Sequence, residues 1–133
     1  VCSTDATTDD GADHGLVDSK LEAIVVPVSD VDRSRHFYRA LGFRLDRDAV
    51  AGDVRVVELT PPGSLCSILI GTGISTAAPG SACGVLKVDD LEEACSELRA
   101  RGAALGPVTR WPTGVSYMAF SDPDGNRWLL AGS

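Results

Sequence analysis

The sequence predicts an α+β fold built from two βαβββ modules, which together give a curved, eight-stranded, cup-shaped mixed sheet with its helices on the outer face. Three observations predict it. β-rich runs bounded by turn residues are interrupted by two stretches of helical apolar spacing. The order strand, helix, strand, strand, strand occurs twice. The punctuation also recurs at nearly one period. A shift of 60 places Val28 on Val88, Asp30 on Asp90, Val31 on Leu91 and Gly42 on Gly102, and a shift of 62 places Thr60-Pro61-Pro62-Gly63 on Asp122-Pro123-Asp124-Gly125. A helix stop and a hairpin turn that both recur mark an internal duplication.

The elements follow in order. LEAIVVPV, from Leu21, is a β-rich run ending at Ser29-Asp30. Asp30 or Ser29 caps a helix whose buried stripe is Val31, Ser34, Tyr38 and Leu41, and Gly42 stops it. A short strand near FRLD, the strand VRVVELT, the Pro61-Pro62-Gly63 turn and the strand LCSILI complete module one, residues 21–70. Residues 71–82, rich in Gly, Ala, Ser and Pro, form a linker. Module two, residues 83–131, opens with ACGVLKV. Asp90 and Glu93 give a signal like a capping box, Leu91, Ala94, Cys95 and Leu98 form the stripe, and Gly102 closes the helix. A short strand is expected near Ala104–Leu105, then VSYMAFS, the Asp122-Pro123-Asp124-Gly125 turn and RWLLA. Both turns read as hairpin turns rather than phosphate or calcium loops, because no helix starts behind either glycine and no EF-hand spacing is present.

Composition excludes several function classes. The 133 residues, 44% apolar, suit one domain with a sizeable core. Of the net charge of −7, residues 1–20 carry −4, from five aspartates against Lys20, which leaves −3 on the folded part. No basic stripe is present, so nucleic acid is not an expected partner. No run of 18 apolar residues occurs, so no membrane span is expected, and no charged-then-apolar leader suggests secretion. Residues 1–19 read as a flexible acidic leader ahead of the domain at 20–133. Cys2, Cys66, Cys83 and Cys95 have no CxxC spacing and read as reduced thiols in a cytoplasmic protein.

PVSDVDRSRHFYRALGF, VDDLEEACSELRARG and FSDPDGNRWLL together resemble the glyoxalase/bleomycin-resistance/extradiol-dioxygenase superfamily, the vicinal oxygen chelate fold, over about residues 21–131. The resemblance implies paired βαβββ modules, frequent homodimers and a cup that holds a divalent metal in many members. Metal ligands in such relatives lie on the first and last strand of each module. Carried onto this chain, those positions are Ala23, Ser67, Cys83 and Leu129, of which only the thiol is a plausible ligand. Of the histidines, His14 lies in the leader, and His36 sits about 140° round the helix from Val31 and reads as a surface residue. No metal or other cofactor is therefore expected.

Strand alternation sorts the cup lining. Leu21, Ala23, Val25 and Pro27 share one face, as do Cys83, Val85 and Lys87, Leu65, Ser67 and Leu69, and Arg127 and Leu129. The opposite parity, Ile24, Val26, Val28, Leu86, Val88, Trp128 and Leu130, packs under the helices. Glu58, Tyr117 and Met118 stay open between the two faces. Trp111, in a loop before the seventh strand, either stacks on a flat ligand or plugs one end of the sheet. Lys87 and Arg127 either anchor an anionic or carbonyl-bearing ligand or sit on the rim. Cys83 at a ligand position invites a nucleophile, but Lys87 is about 13 Å along the strand, and a small core thiol is the favoured reading.

The expected function is metal-free binding of a hydrophobic or aromatic metabolite or antibiotic in the cup. The alternative is a lyase-, isomerase- or dioxygenase-type enzyme acting on a small carbonyl or aromatic substrate, with Glu58 as the candidate acid or base. A homodimer is expected from the resemblance, with the cup built within one chain or across two.

Overall fold

Two glycines at equivalent positions stop the two helices in the same way. A computed structural model describes residues 17–132. In it, α1 (Val31–Ala40) and α2 (Leu91–Ala100) each begin at an aspartate cap: Arg33 N–H donates to Asp30, and Glu93 N–H donates to Asp90. Each ends on a glycine in the left-handed region, Gly42 at φ 103° and Gly102 at φ 100°. Phe43 N–H then reaches back to Tyr38 O, and Ala103 N–H reaches back to Leu98 O, both at 3.0 Å. A residue with a Cβ is strained at that φ, so the duplicated glycines serve duplicated stops.

The strands are β1 (Ala23–Val25), β2 (Arg44–Ala51), β3 (Val54–Thr60), β4 (Ser67–Thr72), β5 (Cys83–Lys87), β6 (Thr109–Arg110), β7 (Ser116–Ser121) and β8 (Arg127–Gly132). They form two four-stranded sheets, ordered β1-β4-β3-β2 and β5-β8-β7-β6. In each sheet the first strand runs parallel to the last, and the other neighbours are antiparallel. The eight expected strands are thus present as one sheet per module, with no strand pairing between the sheets among the described residues.

Some boundaries differ from the sequence reading. The strand near FRLD extends through Ala51, because the β2–β3 hairpin keeps pairing up to its turn at Gly52. No strand forms at 104–105. Instead, Gly106 N–H bonds Ala119 O, and the strand β6 lies at Thr109–Arg110. The linker starts later than expected, since β4 continues to Thr72. The acidic leader, with Cys2 and His14, lies outside the described residues except for its last three positions.

The helix-side faces pack into two clusters, one spanning both modules and one of Leu91, Cys95, Met118 and Leu130 under α2. Val26, Val57, Leu59, Ile68 and Ile70 of the first sheet join Tyr38, Leu41 and Phe43, and Phe120 and Trp128 of the second sheet enter the same cluster. Edge-to-face aromatic packing crosses the modules, with Tyr38 and Trp128 centroids 6.1 Å apart. Ile24 is the exception to the expected inward parity: it is 38% exposed, because β1 is a three-residue edge strand paired on one side only. Met118 is buried under α2 beside Cys95, which settles its face.

One polar network locks the modules together. Trp128 Nε1–H donates to Tyr38 Oη at 2.9 Å, and Tyr38 O–H donates to Asp122 at 2.8 Å. Asn126 Nδ2 donates to Asp122 and to Pro27 O, both at 2.8 Å, while Ala82 N–H donates to Asn126 Oδ1 at 2.9 Å. Asp124 accepts from the Ser29 backbone and side chain and lies 3.4 Å from Arg33. Burial pushes the Tyr38 phenol far above its ordinary range, and the Asp122 carboxylate adds to this against the opposing Trp128 hydrogen bond. Tyr38 is therefore a fixed neutral donor at any physiological pH.

Candidate functional site

The faces turned away from the helices are the candidate binding surfaces. On the first sheet, register places Ala23 beside Ser67, Val25 beside Leu69, and Leu69 beside Glu58. These five residues therefore share one face, and Glu58 points away from the helix. Its carboxylate lies 3.8 Å from Arg47 Nε across the β2–β3 pair. Further along the same face, Ser67 is 7% and Thr60 2% exposed, and their hydroxyl oxygens lie 2.6 Å apart. A bulge between Leu45 and Arg47 leaves Asp46 without a cross-strand partner. Its carboxylate is thereby free to accept from the Thr60 hydroxyl. Arg44 Nε donates to the other Asp46 oxygen at 2.5 Å. The bond from Arg44, then that from Thr60, holds the Asp46 carboxyl below the usual carboxylate range.

On the second sheet, Val85, Leu129 and Ala119 form one cross-strand row, and Lys87, Ala131 and Tyr117 form the next. Cys83, Arg127 and Ser121 form a third. Tyr117 therefore faces away from the helix. Trp111 follows the two-residue strand β6 and is held by a tight turn, with Trp111 N–H on Val115 O at 2.7 Å and Gly114 N–H on Trp111 O at 2.9 Å. Its ring stacks on Tyr117 with centroids 4.7 Å apart and a 41° tilt. Both rings are half-buried. The two prove to be one aromatic platform beside Leu129 and Val85. The sequence held no signal for it beyond the two residue types.

The expected lining residues are thus gathered in two groups, Ala23, Val25, Glu58, Ser67 and Leu69 on one sheet and Cys83, Val85, Lys87, Trp111, Tyr117, Arg127 and Leu129 on the other. No hydrogen bond or ion pair joins the groups among the described residues. Much of the lining is open: Val85 is 57% and Val25 38% exposed, and Cys83, Lys87 and Arg127 are exposed. Cys83 is therefore not the small core thiol the sequence suggested, because β5 is an edge strand and its outward side chains lack a cover. The buried thiol is Cys95, whose pKa burial pushes up. Cys83 also has a cation neighbour that strand spacing missed, since Arg127 sits directly across from it.

A separate groove of about 470 Å³ lies between the modules, bounded by Leu41, Phe43, the Pro61–Ser64 turn, β5 and α2. Of the expected lining it includes only Val85 and Lys87.

The residues at the four carried-over metal positions do not fit a divalent ion. Ala23 and Leu129 have no donor atom, and the Ser67 hydroxyl is engaged with Thr60. Cys83 is level with Arg127 rather than with Leu129, whose neighbour on β5 is Val85. Among the described residues, no three His, Cys, Asp or Glu side chains are grouped as a metal site. His36 is exposed on α1. No helix among the described residues is long and apolar enough to cross a membrane.

Comparison with known proteins agrees with this architecture. The family model described as "Glyoxalase/Bleomycin resistance protein/Dioxygenase superfamily" matches residues 20–130. No curated relative matches the chain. Among solved structures, TnmS3, an antibiotic binding protein from Streptomyces sp. CB03234, is 32% identical, with 88% of this chain and 98% of that chain covered and a TM-score of 0.77. A glyoxalase/bleomycin resistance protein from the same Streptomyces is 33% identical over 84% of this chain and 98% of that one, at a TM-score of 0.70. A superfamily member from Sphaerobacter thermophilus is 28% identical over 89% of this chain and 100% of that one, at a TM-score of 0.76. The chain belongs to the glyoxalase/bleomycin resistance protein/dioxygenase superfamily.

Proposed function

We propose that this protein binds a hydrophobic or aromatic small molecule, a metabolite or an antibiotic, on the open faces of its sheets and without a metal ion. The observation that carries the reading is the Trp111–Tyr117 platform set beside the apolar row Val85, Leu129 and Ala119. A flat ligand laid on it gains stacking as well as apolar burial. The lack of donor atoms at Ala23 and Leu129 supports binding over metal chemistry. The similarity to TnmS3, described as an antibiotic binding protein, supports the ligand class. Lys87 and Arg127 flank the apolar row and suit a carbonyl or anionic substituent.

The working unit in this reading is a homodimer. Among the described residues β1 and β5 have no partner along their outer edges, and the exposed apolar side chains Val25, Val85 and Leu65 gain a cover from a second copy. Light scattering at micromolar concentration should then give twice the mass of one chain. The free thiols Cys66, Cys83 and Cys95 suit the reducing cytoplasm. Turnover is the second reading, favoured only by the position of Glu58 on the first open face; activity abolished by Glu58→Gln would establish it.

Intrinsic fluorescence tests the main reading. Trp128 is buried in the core and Trp111 lies on the open face, so a bound aromatic antibiotic should quench mainly the Trp111 emission. Quenching that persists in Trp111→Phe, or no binding across a panel of aromatic antibiotics, would count against it.

A further inference from the structure

We propose that the groove between the modules is a second binding site, which takes an apolar molecule carrying one carboxylate. The site is separate from the open faces and goes beyond the reading above. The groove exists because the two modules dock unequally. In module one the β1–α1 connection is covered by the Asp122–Asn126 turn, where Asn126 Nδ2 donates to Pro27 O. A shift of 60 places Pro27 on Lys87, and Lys87 lines the groove. The Pro61–Ser64 turn, which stands where a matching cover would come from, forms one wall. It makes no hydrogen bond to module two among the described residues. About 470 Å³ stays open, a volume that suits a small molecule.

The walls say what that space suits. Leu41, Phe43 and Leu98 are apolar. Facing them is β5, seen edge-on: consecutive residues 85–88 line the groove, so it runs along the strand's edge and not over one face. Arg127 N–H donates to Ala82 O, and Val88 N–H donates to Ala131 O. Ladder groups alternate along a strand, so Val85 and Lys87 turn their N–H and C=O groups the other way, to the edge that has no partner strand among the described residues. The charged side chains of the lining are Lys87 and Glu97. Glu97 is engaged by Arg101 at 3.4 Å, whereas Lys87 is exposed and has no acidic partner among the described residues. The unmatched charge in the groove is therefore positive. A carboxylate can accept from the Lys87 ammonium and from an edge N–H together, while its hydrocarbon part lies against Leu41, Phe43 and Leu98.

Isothermal titration with decanoate and decanamide, which share a chain length and differ in charge, tests the site. The wild type should bind decanoate about ten-fold tighter than decanamide, the worth of one charge-assisted hydrogen bond. Lys87→Met keeps the apolar stem and should bring the ratio close to one. Ala94→Leu narrows the groove from the α2 side and should weaken both compounds alike, with both variants folded as judged by circular dichroism. Failure of the wild type to bind either compound, or a ratio unchanged in Lys87→Met, would overturn the inference. Decanoate binding abolished by Trp111→Ala would put the probe on the open face, and a mass that falls to one chain in Ala94→Leu would assign the groove to a second copy. Either result would also overturn it.

Discussion

In the first module the last hairpin turns at Pro61–Ser64 without reaching the other module, while in the second the Asp122–Asn126 turn docks on the β1–α1 connection and α1 through three side chains. The two turns stand at matched positions in duplicated frames. In the second, Asp122, Asp124 and Asn126 bridge to Tyr38, Ser29 and Pro27. In the first, the hydrogen bonds of Ser64 stay within its own turn, to Pro61 and Cys66, and the groove of about 470 Å³ remains open against β5 and α2. The open faces differ in the same spirit, with a charged and hydroxylated row on one sheet and an aromatic platform on the other. Duplication kept what each module needs in order to fold, namely caps, glycine stops and the helix-side core. It let the turn tips and the outward side chains diverge, because neither is required for the sheet to form.

The largest expected effect contrasts the two turns directly. Asn126→Ala removes a buried side chain, 1% exposed, that serves Ala82 N–H, Pro27 O and Asp122 at once. It should cost about 3 kcal/mol in urea denaturation, because it leaves buried polar groups unpaired. The matched Ser64→Ala should cost less than about 1 kcal/mol, since its bonds are local and half-exposed. Equal costs would erase the distinction between a docked and an undocked turn. Tyr38→Phe should follow at about 2 kcal/mol, because it strands Trp128 Nε1 and one Asp122 interaction inside the core.

The face contrast is sharpened by Trp111→Ala. It should weaken binding of an aromatic ligand about ten-fold, the worth of one stacked ring, while leaving stability near that of wild type. The smallest effect concerns acid. Burial alone would raise the Asp124 carboxyl, but hydrogen bonds from Ser29 and the Arg33 charge outweigh it and hold the carboxyl below its ordinary value. A depressed carboxyl contributes stability above the unfolded value of about 4 and loses it as pH falls through the folded value. The acid side of the stability profile should therefore be shallower in Asp124→Asn than in wild type, with no change in slope near neutral pH.

The fold was largely legible because its signals are local. Alternation of period two put Val26, Trp128 and Leu130 inside and Val25 and Val85 outside, as the structure has them, whereas Leu129, expected on the outward face, is buried. The two helix stops were readable from Gly42 and Gly102 alone. What was not legible depends on partners far along the chain. Asp122 and Asn126 read as ordinary turn residues, yet their contacts are with Tyr38 and Pro27, 84 and 99 residues away. The bulge at Asp46 breaks the alternation by one residue, and no local pattern shows that it carries its carboxylate to Thr60. The level of Cys83 was misjudged because a repeat offset of 60 fits the helices, whereas the pairing of Val85 with Leu129 and Ala23 with Ser67 follows an offset of 62. The exposure of Cys83 was missed because strand parity gives the face of a side chain and not whether anything covers it.

In the proposed reading this superfamily member holds an aromatic small molecule on its open faces with no metal in the site. Titration of an aromatic antibiotic that binds the wild type, after exhaustive dialysis against EDTA and again after adding back zinc, iron, manganese or nickel, tests it most directly. The same affinity and stoichiometry are expected in every condition, with Trp111 reporting the ligand each time. Binding or turnover that vanishes with EDTA and returns with one of the ions would contradict it.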